Sequence, residues 1–129
     1  DNVHFKGRVN KRFIPGILSR GNLNMLTGPS DRVSEYGMSM NKMFDYMMAA
    51  KPIIQAIEAG NNLVREADCG IDVEPDNKTE ISKAILNLKA MSQEERIEMG
   101  ENGRRFVLSH HTYQALGKQF LDIMINLVE

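Results

Sequence analysis

An α/β fold is predicted, with a parallel sheet of about four strands, helices on both faces, and two or three further helices closing the chain. Three observations predict it. Short apolar runs alternate with stretches of helical periodicity through most of the 129 residues, the pattern of a sheet built from strand–helix–strand crossovers. One run, Ile53-Ile54-Gln55-Ala56-Ile57, is almost continuously apolar, as a central parallel strand covered on both faces requires. From Thr79 onward only helical spacing appears, so the chain ends in helices packed on a finished sheet.

The elements follow in order. Val3-His4-Phe5, running into Lys6-Gly7-Arg8-Val9, reads as a short strand leading to a loop. Phe13, Ile14, Ile17 and Leu18 recur at helical spacing, with Pro15 placed for the first turn and Gly21 for the stop. Leu23-Asn24-Met25-Leu26 is a second strand. Thr27 to Met38 is a long connection rich in Gly, Pro, Ser and charge, the kind that carries function in a small domain. A helix spans Ser39 to Ala50 with Met40, Met43, Phe44, Met47 and Met48 on its apolar face and Ser39 or Asn41 as its cap. Pro52 stops it ahead of the Ile53 strand. A short helix over Asn61–Ala67 and a strand over Gly70–Glu74 follow, then a turn at Pro75-Asp76-Asn77. Thr79 is the expected cap of the next helix, Ser92 with Glu95 has capping-box spacing for one reaching about His110, and Thr112 opens the last.

Composition excludes several classes. Sixteen Lys and Arg face 17 Asp and Glu, a net charge of -1, which gives no bulk attraction to nucleic acid or an anionic membrane. No apolar run approaches the roughly 20 residues of a membrane helix. Asp1-Asn2-Val3-His4 lacks the basic and apolar regions of a signal peptide. A single cysteine, Cys69, rules out an intramolecular disulfide and argues against a cysteine-based zinc site, so a reducing cytosol is expected and Cys69 reads as a small packing residue. His110-His111 has no carboxylate at ligand spacing, and no metal or cofactor is expected. No Walker loop, dinucleotide fingerprint, HExxH or nucleophile elbow is present.

In such a sheet ligands bind beyond the C-terminal strand ends. Gly7-Arg8, the Thr27–Met38 connection and Glu58-Ala59-Gly60-Asn61 should meet there, with the start of the Ser39 helix. A helix N-terminus favours phosphate. Ser39, Asn41 and Lys42 add a hydroxyl, an amide and a cation within about one turn, Gly37 allows close backbone approach, and Asp45 supplies a carboxylate for ribose hydroxyls. Each residue also has a plainer reading: Lys42 and Asp45 as an exposed ion pair, Ser39 as a cap alone, Glu35 as a solvated loop charge, and Arg8 and Lys11 as surface charges.

Several segments carry a family resemblance. Asn2-Val3-His4-Phe5-Lys6-Gly7-Arg8-Val9 and Phe13-Ile14-Pro15-Gly16-Ile17-Leu18 resemble a strand, loop and helix of group-4 GT-B glycosyltransferases. Tyr36-Gly37-Met38-Ser39-Met40-Asn41-Lys42-Met43-Phe44-Asp45-Tyr46-Met47-Met48-Ala49-Ala50-Lys51-Pro52-Ile53 is similar to the "YGxSPNKxFEYMAxGKPV" segment of members that assemble bacterial surface polysaccharides. The resemblance implies that residues 1–129 are one partial, Rossmann-like nucleotide-sugar-binding domain, the C-terminal donor half of a sugar transferase. It implies metal-independent transfer from a nucleoside diphosphate sugar (a uridine one among the candidates), with Gly7, Arg8, Glu35, Gly37, Ser39, Asn41, Lys42 and Asp45 at the donor. It implies an acceptor-binding N-terminal domain as partner, a cytoplasmic setting, and leaves open both peripheral membrane association of the full enzyme and self-association through an exposed sheet edge. No catalytic residue is assigned. The sequence departs from the family where the first glutamate of its E-x7-E pair falls on Gly37, where Asp45 replaces the second, and where Ala50 stands for a glycine. A non-catalytic interaction module that keeps the half-fold is the alternative. In the family's strand order the Val3 strand has no neighbour within this chain, so it is expected to reposition, pair elsewhere or fray.

Overall fold

In the computed structural model of the chain, residues 3–28, 36–37 and 41–127 are described. A 3-10 turn at Lys11–Phe13 leads into α1 (Ile14–Arg20), with Pro15 in its opening turn. β1 (Asn24–Thr27), α2 (Asn41–Met48), β2 (Ile53–Ala56), α3 (Leu63–Glu66) and β3 (Gly70–Asp72) follow. The chain closes with α4 (Lys78–Ala90), α5 (Gln93–His110) and α6 (Tyr113–Asn126).

The sheet is parallel, in the order β1-β2-β3. Asn24 lies opposite Ile53 and Thr27 opposite Ala56, while Ile53 lies opposite Gly70 and Gln55 opposite Asp72. Every residue of β2 is buried, because it has a strand on each edge and helices on each face. Ile53 and Ile57 pack with Met43 and Met47 of α2, Val64 of α3, Cys69 and Val107 of α5. Ile54 and Ala56 pack on the other face with Val73 and with Ala84 and Leu88 of α4. Burying each isoleucine contributes about 1.5–3 kcal/mol, so β2 ties the two helical layers together.

Among the described residues the sheet has three strands, against the about four expected. The segment expected as the first strand, from Val3, has no strand partner among the described residues. Residues 3–10 are all exposed, Phe5 at 97%. Val3, Phe5 and Val9 alternate as a strand would, but a ladder of hydrogen bonds requires a neighbour. Among the described residues β1 is therefore an edge strand.

The helix ends follow local chemistry. Asn62 accepts from the Arg65 N–H at 3.0 Å to open α3. Asn77, not Thr79, caps α4: it is extended, its side chain accepts from the Glu80 N–H at 3.1 Å, and Thr79 already lies inside the first turn. Arg96 reaches back from α5 to donate to the Leu88 and Met91 carbonyls at 3.1 and 2.5 Å, closing the end of α4. Ser92 and Glu95 form the expected capping box, with Oγ accepting from the Glu95 N–H at 3.1 Å and Oε2 accepting from the Ser92 N–H at 2.7 Å. These bonds hold the Glu95 carboxyl below its ordinary value. Its contribution to stability is therefore present above the unfolded-state pKa and fades as pH falls through the lowered one. Thr112 opens α6 by accepting from the Ala115 N–H at 3.1 Å.

The turn from α2 to β2 carries strain. Ala50 adopts φ 52, a left-handed conformation that costs a side-chain-bearing residue about 1–2 kcal/mol. This explains why the resembling family carries glycine there. α5 crosses directly over this turn, and a Cβ on Gly100 would overlap the Ala50 carbonyl. Gly100→Ala is expected to lower stability by about 1–3 kcal/mol, read as a lower urea midpoint at unchanged slope. Gly117→Ala, on open helix surface, is expected to raise it by about 0.5–1 kcal/mol.

Candidate functional site

The strands end together at Thr27, Ala56 and Asp72, and the depressions at this rim are built by the loops that leave them. A narrow slot of about 20 Å³, room for about one water, lies between Leu26, Met43, Gln55, Ile57, Asn61 and Leu63. Met43 puts the N-terminal half of α2 at this rim, as the parallel order requires. Beside the slot, a polar cleft of about 500 Å³ is lined by Glu58, Asn62, Arg65, Asp72, Glu74 and Glu80. A third depression, of about 530 Å³, lies between Thr27, Ala56, Asp76, Lys78 and Ile81.

α2 divides its residues by spacing. Met43 and Met47, one turn apart, face the core, whereas Asn41, Lys42 and Asp45 are exposed. Asn41 and Asp45 are four apart and share the outer face with Lys42. An amide, an ammonium and a carboxylate thus line one accessible strip of the rim helix. Among the described residues, Lys42 and Asp45 form none of the ion pairs, which run instead between Arg65 and Asp72, Lys83 and Glu80, Arg104 and Glu101, and Arg105 and Glu98. Gly37 has φ 103, and a Cβ there would sit 3.4 Å from Asn61 Oδ1. The chain entering α2 therefore touches the loop leaving β2.

The other expected residues are not gathered there. Gly7, at φ 73, and Arg8 are exposed and lie on a segment with no strand partner among the described residues; like Asn41, Lys42 and Asp45, they line none of these three depressions. Glu35 and Ser39 lie outside the described residues.

One polar chain was missed by sequence reasoning. Gln55 is buried to 4% exposure inside an apolar strand. Its Nε2 donates to Asp72 Oδ1 at 3.4 Å, and Arg65 donates to Asp72 Oδ2 at 2.9 Å. The register that sets Gln55 opposite Asp72 makes the pair. A lone amide in an apolar run was the signal, since a buried amide requires a partner.

His110 and His111 belong to packing. His111 stacks on Phe44 with ring centroids 4.9 Å apart, His110 on Phe106 at 4.7 Å, and His110 Nδ1 lies 3.0 Å from the Phe106 carbonyl. Among the described residues no three His, Cys, Asp or Glu side chains are arranged to hold a metal ion. Nor is any helix there long and apolar enough to cross a membrane. Cys69 is fully buried in the core, and its thiol is pushed up to about 12 by burial and, secondarily, by the neighbouring Asp68 charge.

Comparison with known proteins agrees with this architecture. A family model described as glycosyl transferase-like matches residues 1–122. A search of curated proteins finds no match. Among solved structures, the trehalose-6-phosphate phosphatase N-terminal domain of Candida albicans superposes with a TM-score of 0.71 at 21% identity, over 96% of this chain and 25% of that one. This chain thus spans about a quarter of that protein, and the likeness is one of fold.

The Cys69 environment yields a direct check. At pH 8 the native chain is expected to leave a thiol reagent unreacted, and the denatured chain to consume one equivalent. Rapid reaction of the native chain would contradict the burial of Cys69.

Proposed function

The chain belongs to the glycosyl transferase-like family, and from that premise we propose that it is the donor-binding portion of a sugar transferase. It would hold a nucleoside diphosphate sugar while the glycosyl group passes to an acceptor hydroxyl, in polysaccharide or glycoconjugate synthesis. The observation that carries this reading is the exposed strip of Asn41, Lys42 and Asp45 on the rim end of α2. Its chemistry matches a nucleoside diphosphate group by group. The N-terminal end of a helix and an ammonium group favour the diphosphate, and a carboxylate accepts hydrogen bonds from a ribose diol.

In the transfer, the bond from the anomeric carbon to the diphosphate oxygen breaks, and its electron pair leaves with the diphosphate. The acceptor oxygen bonds to that carbon and gives its proton to a base, which the family resemblance places in the acceptor-binding half. Negative charge grows on the leaving diphosphate. In this reading Lys42 and the positive end of α2 meet that growing charge and stabilise the transition state more than the bound donor.

A second reading, an interaction module without transfer, is favoured by α6. Leu116, Phe120 and Ile123 on that helix, and Leu127 just after it, are 45–76% exposed. The two readings separate on nucleotide binding. Titration calorimetry with UDP, GDP, ADP and dTDP is expected to show weak binding of at least one of them. Lys42→Ala and Asp45→Ala should each weaken it about 5–10-fold, the effect of losing one solvent-exposed hydrogen bond of about 1–1.4 kcal/mol. Equal binding by the wild type and both variants would remove α2 from the site, and the absence of any binding would favour the interaction module.

A further inference from the structure

β1 closes one side of the sheet with half of its backbone unmatched. The Asn24 and Gly28 N–H groups donate toward β2, to the Pro52 and Ala56 carbonyls at 2.9 and 3.2 Å. Alternate residues of a parallel strand bond opposite neighbours, so Met25 and Thr27 turn their N–H and C=O groups outward. Among the described residues no strand pairs with them. Proteins guard such an edge with charge, proline or a bulge. Asn24-Met25-Leu26-Thr27 has no charge or proline, and its register against β2 is unbroken.

Two further features lie along this edge. Asn24 is 6% exposed, yet its Nδ2 has no hydrogen-bond partner among the described residues, a state that buried amides rarely keep. On the other face, where Met25 packs with the α4 layer, two depressions flank the strand. One, of about 350 Å³, lies between Leu23, Ile85 and Leu88, and the other is the depression between Thr27, Ala56 and Ile81.

The complement to this edge is carried by the same chain. Val3 and Phe5 are 64% and 97% exposed and alternate with the polar His4 and Lys6. Gly7, at φ 73, then turns the chain. Val3 to Lys6 is thus a run of strand alternation as long as β1, held away from its own sheet.

We propose that two copies of this chain associate by exchanging this run, Val3 to Lys6 of each adding to the free β1 edge of the other. Main-chain bonds to Met25 and Thr27 hold the added strand, and its alternate side chains set the register. Val3 and Phe5 take the α4 side, beside the two depressions. His4 then faces the side of Asn24, where a ring nitrogen can accept from the unmatched amide. The exchange is reciprocal, so one patch serves both molecules. Covering two Phe5 side chains removes about 300–500 Å² from water. With the smaller Val3 pair this stays below the roughly 1,200–2,000 Å² of a stable complex, so the dimer is weak and reversible. The proposal is independent of the donor site and fails or holds apart from it.

Sedimentation equilibrium over about 1–300 μM, the range of weak complexes, is expected to show the wild type passing from monomer to dimer. Phe5→Asp changes an exposed side chain, and Thr27→Pro removes an outward N–H that an edge strand can spare. Both should keep the wild-type urea midpoint at low concentration and raise the dissociation constant about 10-fold or more, since each removes an anchor of the added strand. A spin label attached at Lys6→Cys in one batch should broaden the Met25 and Thr27 amides of isotopically labelled wild type mixed with it, the buried Cys69 taking no label. A monomer at every concentration would overturn the proposal. So would a dimer that both variants keep, which Phe120→Asp would then assign to α6 if it abolished it. Broadening confined to samples in which label and isotope share one chain would also overturn it, by showing that the run folds back on its own edge.

Discussion

The burial of β2 is the constraint on which the rest depends. Ile53 and Ile54 point to opposite faces, and each is completely covered, one by α2, α3 and α5 and the other by α4. A one-residue slip would exchange the faces of Ile53, Ile54 and Gln55, setting Gln55 against the α4 layer and away from Asp72. That register sets Gln55 opposite Asp72, which gives the buried amide its partner. It also fixes where the strands end, and so which residues of α2 arrive at the rim. The site is thus a consequence of core packing, and Met43 makes the connection directly by lining the slot from the buried side of the same helix.

The rim is divided electrostatically. On the α2 side, Asn41 and Lys42 offer an amide and a cation, with Asp45 one turn further on. Toward β3, the polar cleft brings Glu58, Glu74 and Glu80 around the Arg65–Asp72 pair. A diphosphate in that second cleft would meet carboxylates, which favours the α2 side for the donor proposed above. Unlike the central rim, the periphery lacks cover. The 3–10 segment and α6 present Phe5, Phe120 and Leu127 to solvent, apolar surface well beyond what isolated side chains on a folded domain require.

Much of this was legible in the sequence because local chemistry specified it. The continuous apolar run gave β2, methionines at helical spacing gave the inner face of α2, and Ser92 with Glu95 gave the start of α5. What was less legible depends on partners. Val3, Phe5 and Val9 alternate as a strand would, but among the described residues no strand pairs with them, in line with the expectation that this segment lacks a neighbour within the chain. Thr79 lost the cap of α4 to Asn77 because the turn at Asp76, with φ 60, starts the helix earlier than apolar spacing suggests. At the site, spacing placed Asn41, Lys42 and Asp45 on one accessible strip. It could not place Asn61 beside Gly37, since that contact joins two loops across the sheet edge and leaves no periodic trace.

The central claim, that the rim end of α2 receives a nucleoside diphosphate, is most directly tested by mapping amide chemical shifts of the isotopically labelled chain during titration with the diphosphate that binds it. The largest shifts are expected at Asn41 to Asp45 and in the loop from Ile57 to Asn61, with α6 and the C-terminal half of α5 unmoved. Shifts confined to the cleft around Arg65 and Asp72, or spread over α6 while Asn41 to Asp45 stay in place, would contradict it.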